Sequence, residues 1–186
     1  MTVSLKFKSF ITLLMAAVLL LLPNSPAFAA KLNPQIKIQY VPQDKSKWCW
    51  AATSVMLLNY YNKPMGLEEY VEKVLEEKTN KAIPEFRFES ELNEMGIYGD
   101  SMNKPATWKQ VTSSIDKGYP VVVYQQRTGK VGHMLIINGY FDDNLIITNP
   151  SNTGGQYEIT YDELLDDGNN KWTGTWLNVN KIERKK

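Results

Sequence analysis

Apolar and polar positions change their period along the chain. An unbroken apolar run comes first, Phe10 to Leu22, interrupted only by Thr12. Ile36, Ile38 and Tyr40 then alternate with polar residues in an extended lead-in over Ala30 to Tyr40, and Val41 to Lys45 is loop. From Lys47 to Tyr61 apolar residues surround the axis, which predicts a helix buried on all sides. Ser46 is its expected N-cap, and Asn62-Lys63-Pro64 ends it. Leu67 to Lys78 carries Leu67, Tyr70, Val71, Val74 and Leu75 at amphipathic helical spacing. Two shorter helices are predicted over Pro84 to Met95, closed by Gly96, and over Thr107 to Lys117, stopped by Gly118. From Pro120 onward the signals are for strands. Val121 to Tyr124, Val131 to Tyr140, Leu145 to Thr148, Gln156 to Thr160 and Thr173 to Val179 are β-rich, with Thr128-Gly129-Lys130 and Asp142-Asp143-Asn144 as turns. Helices followed by antiparallel strands predict an α+β fold in one domain of two halves.

The first apolar run has a separate meaning. Lys6 and Lys8 precede it, Pro23 to Pro26 break it, and Ala27-Phe28-Ala29 offers a small-residue cleavage site. Residues 1–29 are therefore expected to be a cleaved signal peptide, and residues 30–186 a single secreted domain. A helix of thirteen residues spans roughly 20 Å, short of the ~30 Å hydrocarbon core, so no stable membrane span is expected in the mature chain. An uncleaved anchor is the alternative.

Composition narrows the chemistry. There are 21 Lys+Arg against 20 Asp+Glu, and loss of Lys6 and Lys8 leaves the mature chain slightly acidic. Without an excess of positive charge, nucleic acid is not an expected partner. A hydrophobic content of 43% excludes a disordered chain. One Cys forbids an intramolecular disulfide, and one Cys with one His cannot build a Cys/His-rich zinc site. Any thiol or imidazole chemistry must use Cys49 and His133.

Cys49 falls in the first turn of the buried helix, where unpaired N–H groups and the helix dipole favour a thiolate. Free cysteine is also a common small core residue, and both readings stand at this point. His133 interrupts the apolar Val131 to Ile137 run after Gly132. It is either a core histidine satisfied by one hydrogen bond or the base a thiol nucleophile needs. Asn149 lies 16 residues further on, after the next strand, where a hairpin brings it beside His133. Asn149-Pro150 is equally a simple turn. Asp142 and Asp143 are rival carboxylates, expected to point away at the hairpin tip. Gln43, six residues before Cys49, stands on the loop where a side-chain amide can join the nucleophile's own N–H at an oxyanion.

Gln43-Asp44-Lys45-Ser46-Lys47-Trp48-Cys49-Trp50-Ala51-Ala52, then Gly132-His133, then Asn149-Pro150, resembles the papain-like cysteine peptidase superfamily. Within it the chain is most similar to compact bacterial members, the double-glycine leader peptidases and the avirulence peptidases with a Trp-Cys-Trp-Ala-Ala nucleophile segment. The resemblance implies a helical half with a buried nucleophile helix packed on an antiparallel sheet half. It implies a peptidase acting on peptide or protein substrates through a Cys49-His133-Asn149 triad, Gln43 and a thioester, with no metal or organic cofactor; the signal segment adds secretion, and a monomer is expected. The chain departs from the pattern in three ways. His133 follows Cys49 by only 84 residues. Asn149 stands where leader peptidases usually carry Asp. Those enzymes are normally fused to a transporter. The same machinery also serves transpeptidation and deamidation, and a non-catalytic binding or inhibitory module on this fold is the rival of a different class. Trp48, Trp50, Trp108, Trp172 and Trp176 divide between cleft and core, with the larger share expected in the core.

Overall fold

The structure, a computed structural model, describes residues 34–181; the expected signal segment lies outside them. Six antiparallel strands form one sheet in the order β1-β6-β2-β3-β4-β5. They are β1 (Ile97–Met102), β2 (Val121–Arg127), β3 (His133–Phe141), β4 (Asn144–Asn149), β5 (Gly155–Thr160) and β6 (Asn170–Lys181). The helices are α1 (Cys49–Tyr60), α2 (Leu67–Leu75), α3 (Glu85–Glu94), α4 (Trp108–Asp116) and α5 (Tyr161–Leu165). The fold is α+β, as the order of periods predicts.

Helix α1 is the centre of the core. Every residue from Cys49 to Leu58 is buried, so the sequence's all-round apolar pattern corresponds to a helix with no solvent face. It packs on β3 and against α2 and α3. The central strands answer with Val121 to Val123 and Leu135 to Ile137, each at most 1% exposed. Burial of this density supplies most of the driving force for folding. Trp48, Trp50, Trp172 and Trp176 are also core, each 1% exposed.

The structure departs from the predicted pattern for physical reasons. Ser46 does not cap α1: its hydroxyl accepts a hydrogen bond from Asn80 Nδ2 at 3.0 Å, Trp48 takes the N-cap position, and Cys49 becomes the first helical residue. The helical half also contains a strand. Ile97–Met102 pairs with β6 as an edge strand although Gly99, Asp100 and Ser101 give it little intrinsic strand preference. By contrast α4 begins where its chemistry says, with Thr107 and Gln110 forming a capping box. The lead-in touches the sheet through a bridge between Gln35 and Gly139, with Ile36 and Ile38 buried. Buried Asn138 fastens it by donating to the Ile36 carbonyl at 2.9 Å while accepting from Thr148 at 3.0 Å.

Candidate active site

Cys49 opens α1 with no side-chain cap above it. The first N–H groups of an uncapped helix are left for another acceptor. Here the N–H groups of Cys49 and Trp50, together with that of Met134 on β3, favour a thiolate on Cys49. The flanking indoles shape the approach. Trp48 donates to the Thr79 carbonyl at 2.8 Å and Trp50 to the Lys81 carbonyl at 3.0 Å. These bonds hold the segment that continues into Ala82-Ile83-Pro84, one wall of a cleft of about 620 Å³. Cys49, Trp50, Gly132 and His133 also line it.

His133 is the first residue of β3, paired with Gln125 on β2 and 4% exposed. Gly132 allows the close approach: a Cβ there would stand 3.2 Å from the Gln125 carbonyl, and its own carbonyl takes the Cys49 thiol at 4.0 Å. The β3–β4 register sets Ile136 opposite Thr148, so Asn149 lands toward the start of β3. His133 Nε2 and Asn149 Oδ1 are 2.8 Å apart. The same Oδ1 accepts from the Ser151 N–H at 3.0 Å, which fixes that atom as the oxygen. Nε2 must then carry the proton and donate. Nδ1 is left with its lone pair, available to a thiol. Beneath Asn149 the turn is tight: a Cβ on Gly154 would lie 2.4 Å from the Asn149 carbonyl. Asp142 and Asp143 occupy the hairpin tip, Asp142 with a left-handed φ of 48°.

Gln43 is buried on its loop, with Nε2 donating to the Lys45 carbonyl at 2.9 Å. One amide N–H is thereby used and the second remains. Its Oε1 has no partner among the described residues. The Gln43 backbone N–H donates to the Pro150 carbonyl at 2.7 Å, and the Tyr40 hydroxyl to the Ser151 carbonyl at 2.8 Å. The loop before Cys49 is thus fastened to the turn after Asn149. Gln43 itself stands outside the cleft that Cys49 and His133 line. His133 and Asn149 are hydrogen-bonded, Cys49 and His133 line the same cleft, and Gln43 is tied through its backbone to the turn after Asn149.

Arg127, at the end of β2, is the charged group that sequence reasoning missed. It is half-buried, and its Nε has no hydrogen-bond partner among the described residues. Its positive charge favours a Cys49 thiolate and opposes an imidazolium on His133. Burial acts more strongly on both groups. It pushes the Cys49 thiol up from its ordinary value of 9.0, and it lowers His133 to about 4, Asn149 opposing the drop. Desolvation disfavours both charged forms, so the resting pair is a neutral thiol beside a neutral imidazole. Only the β2 register places Arg127 here, and no local motif announces it.

A neutral resting pair has a direct signature. Cys49 alkylation by iodoacetamide, or its thiolate ultraviolet absorbance, should keep rising as pH passes 9.0, with no plateau in the neutral range. A thiolate already present at neutral pH, and lost in His133→Ala, would establish an ion pair instead.

The Peptidase_C39 like family model matches residues 35–182, nearly all of the described chain. A 141-residue stretch, 74% of this chain, is 25% identical to the mesentericin-Y105 transport/processing ATP-binding protein MesD of Leuconostoc mesenteroides. The match spans only 18% of that protein. Among solved structures, the peptidase domain of Streptococcus ComA, a bi-functional ABC transporter of a quorum-sensing pathway, superposes with a TM-score of 0.64 at 15% identity. The match covers 78% of this chain and all of that one. A double-glycine motif protease from an AMS/PCAT transporter, in complex with its leader peptide, gives 0.59 at 17% identity, over 80% of this chain and 94% of that one. A C39-like peptidase from Bacillus anthracis gives 0.55 at 10% identity, over 81% and 96%. With a family model covering this much of it, the chain belongs to the Peptidase_C39 like family and is a cysteine-type peptidase.

Proposed function

We propose that the protein hydrolyses peptide bonds through a thioester on Cys49, with His133 as base and acid, Asn149 as the residue that orients it, and Gln43 at the oxyanion. The observation that carries this reading is Asn149 Oδ1, which accepts from both Ser151 N–H and His133 Nε2. It leaves Nδ1 as the only basic nitrogen, on a ring that lines the same cleft as the thiol. That a structurally similar protease has been solved with a leader peptide supports a peptide as substrate.

The steps follow from those protonation states. As Sγ attacks the substrate carbonyl, its proton passes to Nδ1, so neither group is charged before the bond begins to form. The resulting oxyanion takes the Cys49 N–H and the free Gln43 N–H. The tetrahedral adduct collapses, the C–N bond breaks, and the proton on Nδ1 goes to the departing amine. Water then gives a proton to Nδ1, adds to the thioester and releases the acid, and Sγ regains its proton. Because the base must be neutral, its low pKa extends activity toward acid. The acid limb of kcat/KM is set near 4 and not at the ordinary histidine value of 6.5.

The mature domain is further proposed to be secreted after cleavage before Ala30, a reading that rests on the sequence of residues 1–29.

Cys49→Ala should abolish turnover with an unchanged circular dichroism spectrum. His133→Ala should cost about 10²- to 10⁴-fold in kcat/KM, and Gln43→Ala about 10²- to 10³-fold. Asn149→Ala should cost clearly less than His133→Ala, since it misorients the base without removing it. Equal losses for Asn149→Ala and His133→Ala would show that Asn149 does more than orient. Turnover surviving Cys49→Ala would end the thioester reading. N-terminal sequencing of exported material should begin at Ala30, and a retained Met1 would contradict processing.

A further inference from the structure

The cleft beside Cys49 holds two carboxylates that the proposed reaction does not use. Glu85 and Glu89 stand one turn apart on α3, and both line the cavity that Cys49 and His133 line. Among the described residues, no Lys or Arg lines it. The neighbouring Arg87 is engaged elsewhere, with Glu91 at 3.4 Å and with the Val74 carbonyl. The described residues therefore give neither carboxylate a cationic partner.

One of the two carboxylates is held by hydrogen bonds. Glu89 accepts from the hydroxyl of buried Tyr124 at 2.8 Å and from the Ser101 hydroxyl. Glu85 is exposed as a residue and lines the cavity. One oxygen lies 3.2 Å from where a Cβ on Gly174 would stand, so only the absent side chain leaves it room. Partial burial and the like charge of Glu89 hold the Glu85 carboxyl above the usual carboxylate range. Two like charges in a partly dry cavity are stabilised when a cation enters between them.

The rest of the cavity says what kind of cation. Ile83, Met102, Phe86 and Val131 give it apolar walls, and the last two are large apolar side chains left 74% and 47% exposed. An aliphatic stem ending in a positive head matches apolar walls leading to carboxylates, and that is the form of lysine and arginine. A metal ion would leave the apolar walls unused. Tyr124, which braces Glu89, is paired with Met134, the residue after His133, so Glu89 is tied through Tyr124 to the strand segment that carries His133.

We infer that Glu85 and Glu89 form a specificity pocket for a lysine or arginine side chain of the substrate, on a residue close to the bond that Cys49 attacks. The inference rests on the peptidase reading above.

The test is a cleavage profile of the mature chain on a library of Glu-C-derived peptides, which retain internal Lys and Arg, with cut sites read by mass spectrometry. Lys and Arg should be enriched at one position near the cut. A Lys-containing peptide should exceed its norleucine match by about tenfold in kcat/KM, the effect of one charge-assisted contact. Added salt should shrink that ratio. In E85Q/E89Q the ratio should fall to about one, and in E85K below one. Because Glu89 also braces Tyr124, E85Q alone serves as a second variant. Its carboxylate accepts no hydrogen bond from the described residues, and it too must lower the ratio. Cuts without a Lys/Arg preference, or a preference untouched in E85Q and E85Q/E89Q, overturn the pocket and leave the peptidase reading standing. A chain that cuts no peptide while iodoacetamide still labels Cys49 overturns both.

Discussion

A single carbonyl oxygen, Oδ1 of Asn149, decides which nitrogen of the only histidine bears a proton. It accepts the Ser151 N–H and so can only accept from His133, which leaves Nδ1 as the basic nitrogen. Backbone register and turn geometry, with one side-chain hydroxyl, place this oxygen. The β3–β4 register brings Asn149 beside His133, the tight turn at Gly154 folds beneath it, and Gln43 N–H and the Tyr40 hydroxyl fasten the turn to the loop that leads to Cys49. A one-residue slip of that hairpin would turn Asn149 to the other face of the sheet and leave the ring without its orienting partner.

Around this constraint the electrostatics work in opposite directions. Burial keeps thiol and imidazole neutral, whereas the helix N-terminus, the Met134 N–H and Arg127 all favour the thiolate. The site therefore stores its charge stabilisation until a proton moves. Preorganised donors of this kind act on charge as it develops and need no reorganisation at that moment. Arg127 is notable because it favours a negative charge on Cys49 and opposes a positive one on His133; in the proposed reaction it pushes the proton from Nδ1 onward to the departing amine.

Much of this was legible in the residues. The all-round apolar run around Cys49 reads as a buried helix, and the β-branched runs bounded by turn residues after Pro120 read as strands. The lone Cys and lone His left one choice of dyad. Asn149 followed from counting along a hairpin. Local patterns failed where tertiary pairing overrides propensity. Ile97–Met102 becomes a strand because β6 offers it an edge, and its Gly, Asp and Ser give no warning. Five-residue α5 is too short for a period to register, although Thr160 and Glu163 do form its capping box. Ser46 looks like a cap, but Asn80, distant in sequence, claims its hydroxyl. Arg127, Glu85 and Glu89 gain meaning only from the register and the cleft, which no stretch of sequence encodes alone.

With one histidine in the chain, its ring nitrogens can be read without assignment. In uniformly ¹⁵N-labelled protein at neutral pH, the two resonances of His133 should be one protonated, coupled to a hydrogen that exchanges slowly behind Asn149, and one bare. That pattern should persist until pH approaches about 4. Two protonated nitrogens at neutral pH would mean an imidazolium and a resting ion pair. A proton found on Nδ1 instead of Nε2 would contradict the account at its root.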